Sequence, residues 1–356
     1  MDKPKVIILY NKLFHYRIPI WNHLAEKCDL TVAHSDPNAK VSQGFELKFK
    51  TLYLPARTFM GRVVLQKANI RKLVKDYDAV IVYGDISWLK YSTLSWFGKN
   101  KVVFHTLGVS AFYDRGYDQI SKWDKVRAFF YKHATALAFY TDYPVEKYAA
   151  MGIPREKMFV AHNTVAVQPI AEPVQKNSIL FIGTLYREKG IQNLLDAYKR
   201  LRGKCALPQL NIVGKGPDYD FVKQWIEANG MSDLIHLPGA VYDITEKAEY
   251  FARAYACVSP LQAGLTVQES MGYGVPFVTV KNAITGGEIF DIKNGENGVL
   301  MDDVSELDSV IEDIAKHPEK FVELGRQAQI FYNEHSKPSD MAEGLWKAVC
   351  YAINKQ

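Results

Sequence analysis

The alternation of short apolar runs with amphipathic segments is the feature that most constrains the fold of this chain. Strand-length runs such as 5–10 (KVIILY) and 79–84 (AVIVYG) are separated by stretches whose apolar residues lie three and four positions apart. Strands that are continuously apolar are buried on both faces, as in parallel sheets covered by helices. The pattern pauses at 166–178 and restarts at 179–184 (ILFIGT). The sequence therefore predicts an α/β protein with two parallel sheets.

The length of 356 residues suits two domains of about 150–200 residues each. We predict a first Rossmann-like lobe at 1–165, a linker at 166–178 and a second Rossmann-like lobe at 179–336. The tail at 337–356 has its own helical pattern, and we expect it to pack back onto the first lobe. Two such lobes would face a cleft at the carboxyl ends of their strands, where open α/β sheets bind ligands.

Composition narrows the class of protein further. The four cysteines are far apart and form no CxxC pair, so neither a disulfide framework nor a zinc site is expected. The first apolar run is too short for a signal peptide, and no run approaches the length of a membrane span. We therefore expect a cytoplasmic protein. Residues 1–165 carry 25 basic and 14 acidic residues (+11), against 19 and 25 (−6) in 166–356. The first lobe is predicted to face an anionic partner.

The stretch 181–201 (FIGTLYREKGIQNLLDAYKRL) indicates a phosphate site in the second lobe. A strand ends near Gly183, a short loop carries Arg187 and Lys189, and Gly190 opens a helix. Cations on a strand–helix loop, beside free helix amides, suit phosphate oxygens. A solvated basic loop is the alternative interpretation.

A second loop, Gly214 to Pro217 (GKGP), follows the next predicted strand. Gly214 and Gly216 would let the backbone approach a ligand closely, although such loops are also common tight turns. The acidic pair Asp218 and Asp220 matches an Asp-x-Asp metal motif. These residues stand where a helix begins, and acidic residues there complement the helix dipole. We therefore predict no metal site.

The third stretch, 258–280 (VSPLQAGLTVQESMGYGVPFVTV), reads as strand, turn, helix and strand. The amides of Gly264, Leu265 and Thr266 would point at a diphosphate. Glu269 follows Thr266 at capping-box spacing, so its side chain could close the start of the helix. It could equally accept hydrogen bonds from ribose hydroxyls at the mouth of the cleft.

Together these motifs resemble the retaining glycosyltransferases of family 4, which have the GT-B fold, over nearly the whole chain. The resemblance implies that Lys189 holds the donor diphosphate. Thr184 stands where the family has an arginine, and Arg187 is a candidate replacement. Glu269 matches the family's ribose-binding glutamate. Leu261 stands in place of the sugar-contacting glutamate, and this stretch is similar to a subgroup that acts in polysaccharide or glycolipid assembly.

The resemblance extends to Glu288, which matches a later glutamate of the family. His105, at a predicted strand end, matches a histidine that contacts the transferred sugar. Histidine is a common general acid or base, and a buried structural histidine is the alternative. The predicted catalytic residues are His105, Arg187, Lys189 and Glu269, and the predicted donor-binding residues are Gly183, Thr184, Gly214, Gly216, Gly264, Leu265, Thr266 and Glu288.

The first lobe is predicted to bind the acceptor. His15, Tyr16 and Arg17, at the entry to the first helix, resemble the subgroup's Tyr-Arg-x-Pro pattern and would line the acceptor side. Residues 57–75 combine six basic residues with apolar ones at helical spacing. A basic amphipathic helix would contact an anionic membrane from its inner face, while a solvated helix face is the alternative. No nucleic-acid motif accompanies the charge.

The sequence therefore predicts an enzyme that moves a sugar from a nucleotide-diphosphate donor to a glycan or lipid-linked acceptor. Retention of the anomeric configuration is what the resemblance implies, and neither a metal nor another cofactor is expected. Two alternatives remain open at this stage. One is a nucleotide-sugar epimerase on the same fold, and the other is a non-catalytic nucleotide-sugar-binding protein.

Overall fold

A computed structural model of the chain describes residues 2–39, 46–97, 101–112, 116–119, 121–170 and 174–355. The chain divides into two compact units, each treated separately below. Unit 1 comprises residues 1–110, 118–165 and 337–356, and unit 2 comprises residues 111–117 and 166–336.

The described strands are β1 (Lys5–Leu9), β2 (Asp29–His34), β3 (Lys50–Tyr53), β4 (Ala56–Phe59), β5 (Val63–Gln66), β6 (Ala79–Tyr83), β7 (Val102–Thr106), β8 (Ala111–Phe112), β9 (Gly116–Tyr117), β10 (Ala136–Phe139), β11 (Met158–Val160), β12 (Ser178–Ile182), β13 (Gln209–Val213), β14 (Ile235–Gly239), β15 (Ala254–Val258), β16 (Gln262–Ala263), β17 (Phe277–Val280), β18 (Ile284–Thr285) and β19 (Gly298–Met301).

The described α-helices are α1 (Ile18–Ala25), α2 (Ile70–Leu73), α3 (Leu89–Ser92), α4 (Lys122–His133), α5 (Tyr143–Ala150), α6 (Ile191–Leu201), α7 (Tyr219–Ala228), α8 (Ile244–Ala252), α9 (Thr266–Gly272), α10 (Leu307–Lys316), α11 (Pro318–His335) and α12 (Pro338–Asn354). Short 3-10 turns lie at His15–Arg17, Val74–Asp76, Thr93–Phe97, Arg155–Lys157, Arg187–Lys189, Glu288–Asp291 and Val304–Glu306.

Unit 1 is built on a seven-stranded parallel sheet in the order β11-β10-β7-β6-β1-β2-β3. Alternate side chains of β1 enter different cores, because successive residues of a strand point to opposite faces. Val6 and Ile8 pack with α1 and α12, whereas Ile7 and Leu9 pack on the other face. Both faces are thus buried, which explains why the strands are apolar throughout.

The C-terminal helix α12 packs in unit 1, as predicted. Met341, Leu345 and Val349 recur along one face of α12 and are fully buried in the same core as β1. Gly344 lies so close to β11 that a Cβ there would collide with the carbonyl oxygen of Val160. The last helix is therefore an integral layer of unit 1.

Unit 2 is built on a six-stranded parallel sheet in the order β14-β13-β12-β15-β17-β19. Helix α6 buries Ile191, Leu194, Leu195, Tyr198 and Leu201 in its core, the face that the helical spacing predicts. The prediction of two Rossmann-like parallel-sheet lobes is confirmed.

The prediction of a helix at residues 57–75 is wrong. Strands β4 and β5 form an antiparallel hairpin, and α2 (Ile70–Leu73) is a single turn. The β-branched pair Val63 and Val64 favours a strand, and Gly61 takes a positive φ of 66° in the turn. Within the described residues, no helix has the length and apolarity needed to cross a bilayer.

Candidate functional site

The Lys189 side chain is folded back over the end of β12 in unit 2. Gly183 follows β12 with φ of 131°, and a Cβ at that position would lie 2.5 Å from the Lys189 Nζ. Lys189 is the last residue of the 3-10 turn Arg187–Lys189, and α6 begins two residues later. The positive φ favours glycine at 183, and the absence of a side chain there leaves room for the Lys189 ammonium group.

The Lys189 ammonium is buried against aromatic rings, and no acidic side chain of the described residues pairs with it. The residue is 8% exposed, and its Nζ lies 5.8 Å and 5.5 Å from the ring centroids of Phe181 and Tyr186. Burial lowers the pKa of Lys189, because the charged form is poorly solvated there. No carboxylate in the described part of the chain forms an ion pair with it. A buried cation of this kind favours an anionic ligand.

Thr184 and Arg187 lie on the same loop, and both are exposed. Leu185 between them is buried and fastens the loop, because its N–H donates to the Lys215 carbonyl at 3.0 Å and its carbonyl accepts from the Asp218 N–H at 3.2 Å. Arg187 thus extends from a fixed turn, two residues before Lys189.

Gly214 and Gly216 are explained by contacts within the protein. A Cβ on Gly214 would collide with the carbonyl oxygen of Gly183, and one on Gly216 would collide with the backbone of Leu185. The loops after β12 and β13 therefore pack backbone against backbone. The sequence prediction that these glycines admit a ligand stays a prediction, because this packing requires them in any case.

The turn after β15 meets the Lys189 loop. The Leu261 N–H donates to the Lys189 carbonyl at 3.2 Å. Gly190 has a φ of 75°, and a Cβ there would lie 2.8 Å from the Leu261 Cγ. The structure thus brings together two segments that lie about seventy residues apart in the sequence, and both belong to unit 2.

Helix α9 begins at Thr266 immediately after this turn. Leu265 is the N-cap residue, and the Val267 and Glu269 amides donate to the Gly264 and Leu265 carbonyls. The amides of Gly264, Leu265 and Thr266 have no backbone acceptor among the residues that the structure describes. The start of α9 therefore presents N–H groups beside the Lys189 loop.

Glu269 does not cap its helix, so that alternative is wrong. A capping box needs the hydroxyl residue at the N-cap, and Thr266 lies one position inside α9. The Glu269 carboxylate instead forms an ion pair with Lys247 of α8, and both side chains are largely buried. Sequence reasoning missed Lys247. The available signal was a lysine near the start of a helix, where the dipole disfavours a cation.

Glu288 is buried beside the same turn, because β16 pairs with β18. Its carboxylate accepts from the Gly286 N–H at 2.9 Å and from the Thr285 hydroxyl at 3.4 Å. These bonds hold Glu288 against the backbone of its own turn. A donor-binding role for Glu288 stays a prediction.

Asp218 and Asp220 behave as helix-start residues. Asp218 is the N-cap of α7 and Asp220 lies in its first turn, where negative charge complements the dipole. Across the described residues, no group of three or more His, Cys, Asp or Glu side chains is placed to hold a metal ion.

In unit 1, His105 of β7 is buried at the carboxyl edge of the sheet. Its ring lies edge-to-face against Tyr140 at 4.8 Å, and the Tyr140 and Tyr10 hydroxyls are 3.1 Å apart. His105 Nε2 has no hydrogen-bond partner among the described residues. Burial, assisted by Arg17, holds the pKa of His105 well below its ordinary value. The imidazole is therefore neutral near pH 7.

Arg17 belongs to the same cluster, whereas His15 is exposed and Tyr16 is half-buried. The Arg17 guanidinium lies 5.2 Å from the Tyr140 ring centroid and 5.3 Å from that of Tyr16. It also contacts the Met341 sulfur of α12 at 3.1 Å. The structure thus joins two of the predicted first-lobe residues, His105 and Arg17, through an aromatic shell.

Comparisons with known proteins match this architecture. Residues 176–317, most of unit 2, match the family model described as Glycosyl transferases group 1. An uncharacterized glycosyltransferase of Haemophilus influenzae is 22% identical over 52% of this chain and 52% of its own length. A D-inositol 3-phosphate glycosyltransferase of Arthrobacter is 30% identical over 44% of this chain and 39% of its own length. The chain thus spans about half or less of the length of these curated relatives.

Solved structures resemble the whole chain. Anabaena Alr3699/HepE in complex with UDP superimposes with a TM-score of 0.75 at 16% identity, over 97% of this chain and 99% of that one. The lipopolysaccharide outer core galactosyltransferase WaaB gives 0.67 at 17% identity, with the same coverage of both chains. The likeness shows the fold, two Rossmann-like lobes of the GT-B type.

Proposed function

We propose that this chain transfers a sugar, with retention and without a metal, from a nucleotide-diphosphate donor to a glycan or lipid-linked acceptor. The observation that carries the proposal is the buried Lys189 ammonium, which has no acidic partner among the described residues. The backbone of Lys189 also meets the turn that leads into α9, because its carbonyl accepts from the Leu261 N–H. The match to Glycosyl transferases group 1 supports it. So do the UDP and UDP-glucose held by similar structures.

In this proposal the donor diphosphate binds between Lys189 and the amides of Gly264, Leu265 and Thr266. These groups are fixed before the reaction, so they stabilise the charge of the departing diphosphate without further reorganisation. The exposed Arg187 reaches the same phosphates from the turn that ends in Lys189. Side chains and peptide dipoles, rather than a metal ion, then neutralise the leaving group.

Glu269 would accept hydrogen bonds from the donor ribose. Lys247 engages one oxygen of its carboxylate, which fixes the orientation of the other. A carboxylate has only acceptor atoms, so the second oxygen of Glu269 is available for hydrogen bonds from sugar hydroxyls. Lys247 is thus a positioning residue that acts through Glu269.

His105 would contact the transferred sugar and polarise the attacking hydroxyl. A neutral imidazole with a free ring nitrogen can accept or donate a hydrogen bond, and burial keeps His105 neutral. The acceptor hydroxyl would attack from the face that the diphosphate leaves, and a diphosphate oxygen would take its proton. His15, Tyr16 and Arg17 remain the proposed acceptor-side residues.

The proposal includes a peripheral contact of unit 1 with an anionic membrane at its inner face. Residues 57–75 carry six basic residues in the hairpin β4–β5 and the turn that follows. Such a contact would present a lipid-linked acceptor to the transferase.

A thermal-shift titration with UDP, GDP and their sugars tests the proposal. A nucleotide at 100 times its Kd should stabilise the protein by about 2.7 kcal/mol. Lys189→Met should abolish this shift and lower the transfer rate by about 10²–10³-fold. Lys199→Met, which changes an exposed lysine of α6, should retain both.

Product analysis separates the alternatives. Donor turnover in the absence of any acceptor would identify an epimerase, and tight nucleotide binding without turnover would identify a binding protein. Normal transfer by Lys189→Met would contradict the proposed site.

A further inference from the structure

The tip of the β4–β5 hairpin in unit 1 carries a side chain that the fold itself does not use. Met60 is 100% exposed and has a φ of +48°, and Gly61 follows with +66°. The Arg62 N–H donates to the Phe59 carbonyl at 3.0 Å, which closes the turn. Two positive φ values define a turn for which Asn-Gly is the preferred pair. A methionine side chain does not stabilise a backbone with positive φ.

Asp118 provides the contrast. Within the described chain, Met60 and Asp118 are the non-glycine residues with positive φ. Asp118 forms an ion pair with Lys147 and accepts from the Tyr143 hydroxyl at 2.8 Å, so its contacts offset the unfavourable backbone. The Met60 side chain has no such offset. A strained position occupied by a fully exposed apolar residue indicates a contact outside the fold.

The neighbours of Met60 extend this apolar tip. Phe59 is 54% exposed and pairs across the hairpin with Val63, which is also exposed. Arg57 and Arg62 are exposed beside them. We call residues 59–63 the hairpin tip. It combines three exposed apolar side chains with flanking guanidinium groups.

Hydrogen bonds to a neighbouring segment of unit 1 fix the base of the hairpin. The Val64 N–H donates to the Ser87 carbonyl at 2.9 Å, and the Lys90 ammonium donates to the carbonyls of Gln66 and Ala68 at 2.5 Å and 3.0 Å. The tip therefore projects from a fixed base, and little conformational entropy would be lost when it binds.

The charge around the tip selects an anionic partner. Residues 56–75, from the start of β4 onward, contain six basic residues (Arg57, Arg62, Lys67, Arg71, Lys72 and Lys75) and no acidic residue. An apolar projection flanked by cations matches the headgroup region of an anionic bilayer, where apolar atoms reach the acyl chains and cations meet phosphates. A soluble polyanion would bind the basic side chains but would leave the Met60 side chain exposed to water.

We propose that the hairpin tip is the membrane-inserting element of this protein, with Phe59, Met60 and Val63 entering the acyl boundary of an anionic bilayer. The inference deepens the membrane contact of the proposed function, on which it rests. It does not depend on the transfer chemistry.

Flotation with vesicles tests this inference on the full chain. The wild-type protein should float with 7:3 phosphatidylcholine–phosphatidylglycerol vesicles and much less with phosphatidylcholine alone. Met60→Asn suits the turn better, so it should keep or raise the Tm. Its partition onto the anionic vesicles should nevertheless fall about tenfold, as expected when one apolar side chain is withheld from lipid.

Met151→Asn is the matched control, because Met151 is an exposed methionine elsewhere in unit 1. It should partition like the wild-type protein. Unchanged flotation of Met60→Asn would overturn the inference, as would binding of the wild-type protein to soluble heparin but not to vesicles. Each variant is also titrated with UDP, so that loss of vesicle binding with an intact nucleotide response separates this inference from the donor site.

Discussion

Two buried lysines, Lys157 in unit 1 and Lys189 in unit 2, differ in what surrounds the ammonium group. Both are less than a tenth exposed. Burial lowers the pKa of Lys157 to about 8 and lowers that of Lys189 as well. Lys157 donates to the carbonyls of Tyr131, Lys132 and Ala134 at 2.9, 2.9 and 2.7 Å. Lys189 faces two aromatic rings and a glycine.

The difference teaches that hydrogen-bond partners, rather than burial, separate a structural cation from one that we propose to bind an anion. The carbonyls around Lys157 lie at the end of α4, where a helix leaves its last carbonyls unpaired and its dipole favours a cation. Lys157 therefore completes the fold. The desolvation of Lys189 is not offset by an acidic group of the described chain, which is the pattern expected of a site that binds an anion.

The largest expected effect on stability comes from Lys157. Lys157→Met should lower the free energy of unfolding by about 1–3 kcal/mol, because it leaves buried carbonyls unpaired. Lys189→Met should leave the unliganded protein as stable as the wild type or more stable, because it removes a buried charge that no carboxylate in the described part of the chain pairs. Chemical denaturation of both variants measures the contrast. Equal destabilisation by the two substitutions would abolish the distinction.

A smaller effect is expected at the ion pair of unit 2. Lys247→Met should raise the donor KM about three- to tenfold with little change in kcat, because a misoriented Glu269 weakens ribose binding in ground and transition states alike. Lys247→Arg should restore the KM, and Lys223→Met, on the exposed face of α7, serves as the control.

The double variant of Lys247→Met and Glu269→Gln should be no worse than Glu269→Gln alone, because the lysine acts through the carboxylate. Additive losses in this cycle would show that Lys247 contacts the donor independently. Steady-state kinetics against donor concentration give both parameters for each variant.

The smallest expected effect is a gradual dependence of nucleotide affinity on pH. The Lys189 pKa is lowered in the unliganded fold, so the ammonium is lost as pH rises through that value. Nucleotide affinity should therefore decline by at most about tenfold per pH unit in this range. The unfolded state keeps its proton up to about pH 10.4, so the unliganded stability should rise with pH between the two pKa values.

Titration calorimetry with UDP between pH 7 and 10 measures the decline in affinity, and Lys189→Arg, whose guanidinium stays charged over this range, should remove it. A pH profile that is the same in the variant and the wild-type protein would assign the dependence to another group.

Much of the fold follows from local pattern. The apolar runs at 5–10 and 79–84 contain β1 and β6, and the run at 179–184 contains β12 except for its first residue, because a strand buried on both faces must be apolar at consecutive positions. The segment 57–75 was predicted as a helix because its apolar residues also satisfy a helical period. The segment instead forms the paired strands β4 and β5, and the spacing of apolar residues along a sequence does not reveal such a pairing.

Some features of the candidate site are likewise predictable from local sequence, and others are not. Lys189 is predicted from the loop after one strand and Glu269 from the first helical turn after another, since such segments gather at one edge of a parallel sheet. The resemblance to family 4 supports both predictions. The ion pair with Lys247 joins residues on two different helices, α8 and α9, so no local spacing encodes it. Gly214 and Gly216 were predicted for ligand approach, and only the packed loops revealed that the backbone of Gly183 and Leu185 requires them.

The sequence by itself determined which segments form strands and helices, because side-chain periodicity and backbone preference are local properties. It also provided the prediction of which residues bind a phosphate. The tertiary structure decided which of those residues are buried away from water and which form hydrogen bonds or ion pairs within the protein. Desolvation and pairing depend on segments that are distant in the chain, and they separate the cation of Lys157, held by carbonyls, from that of Lys189.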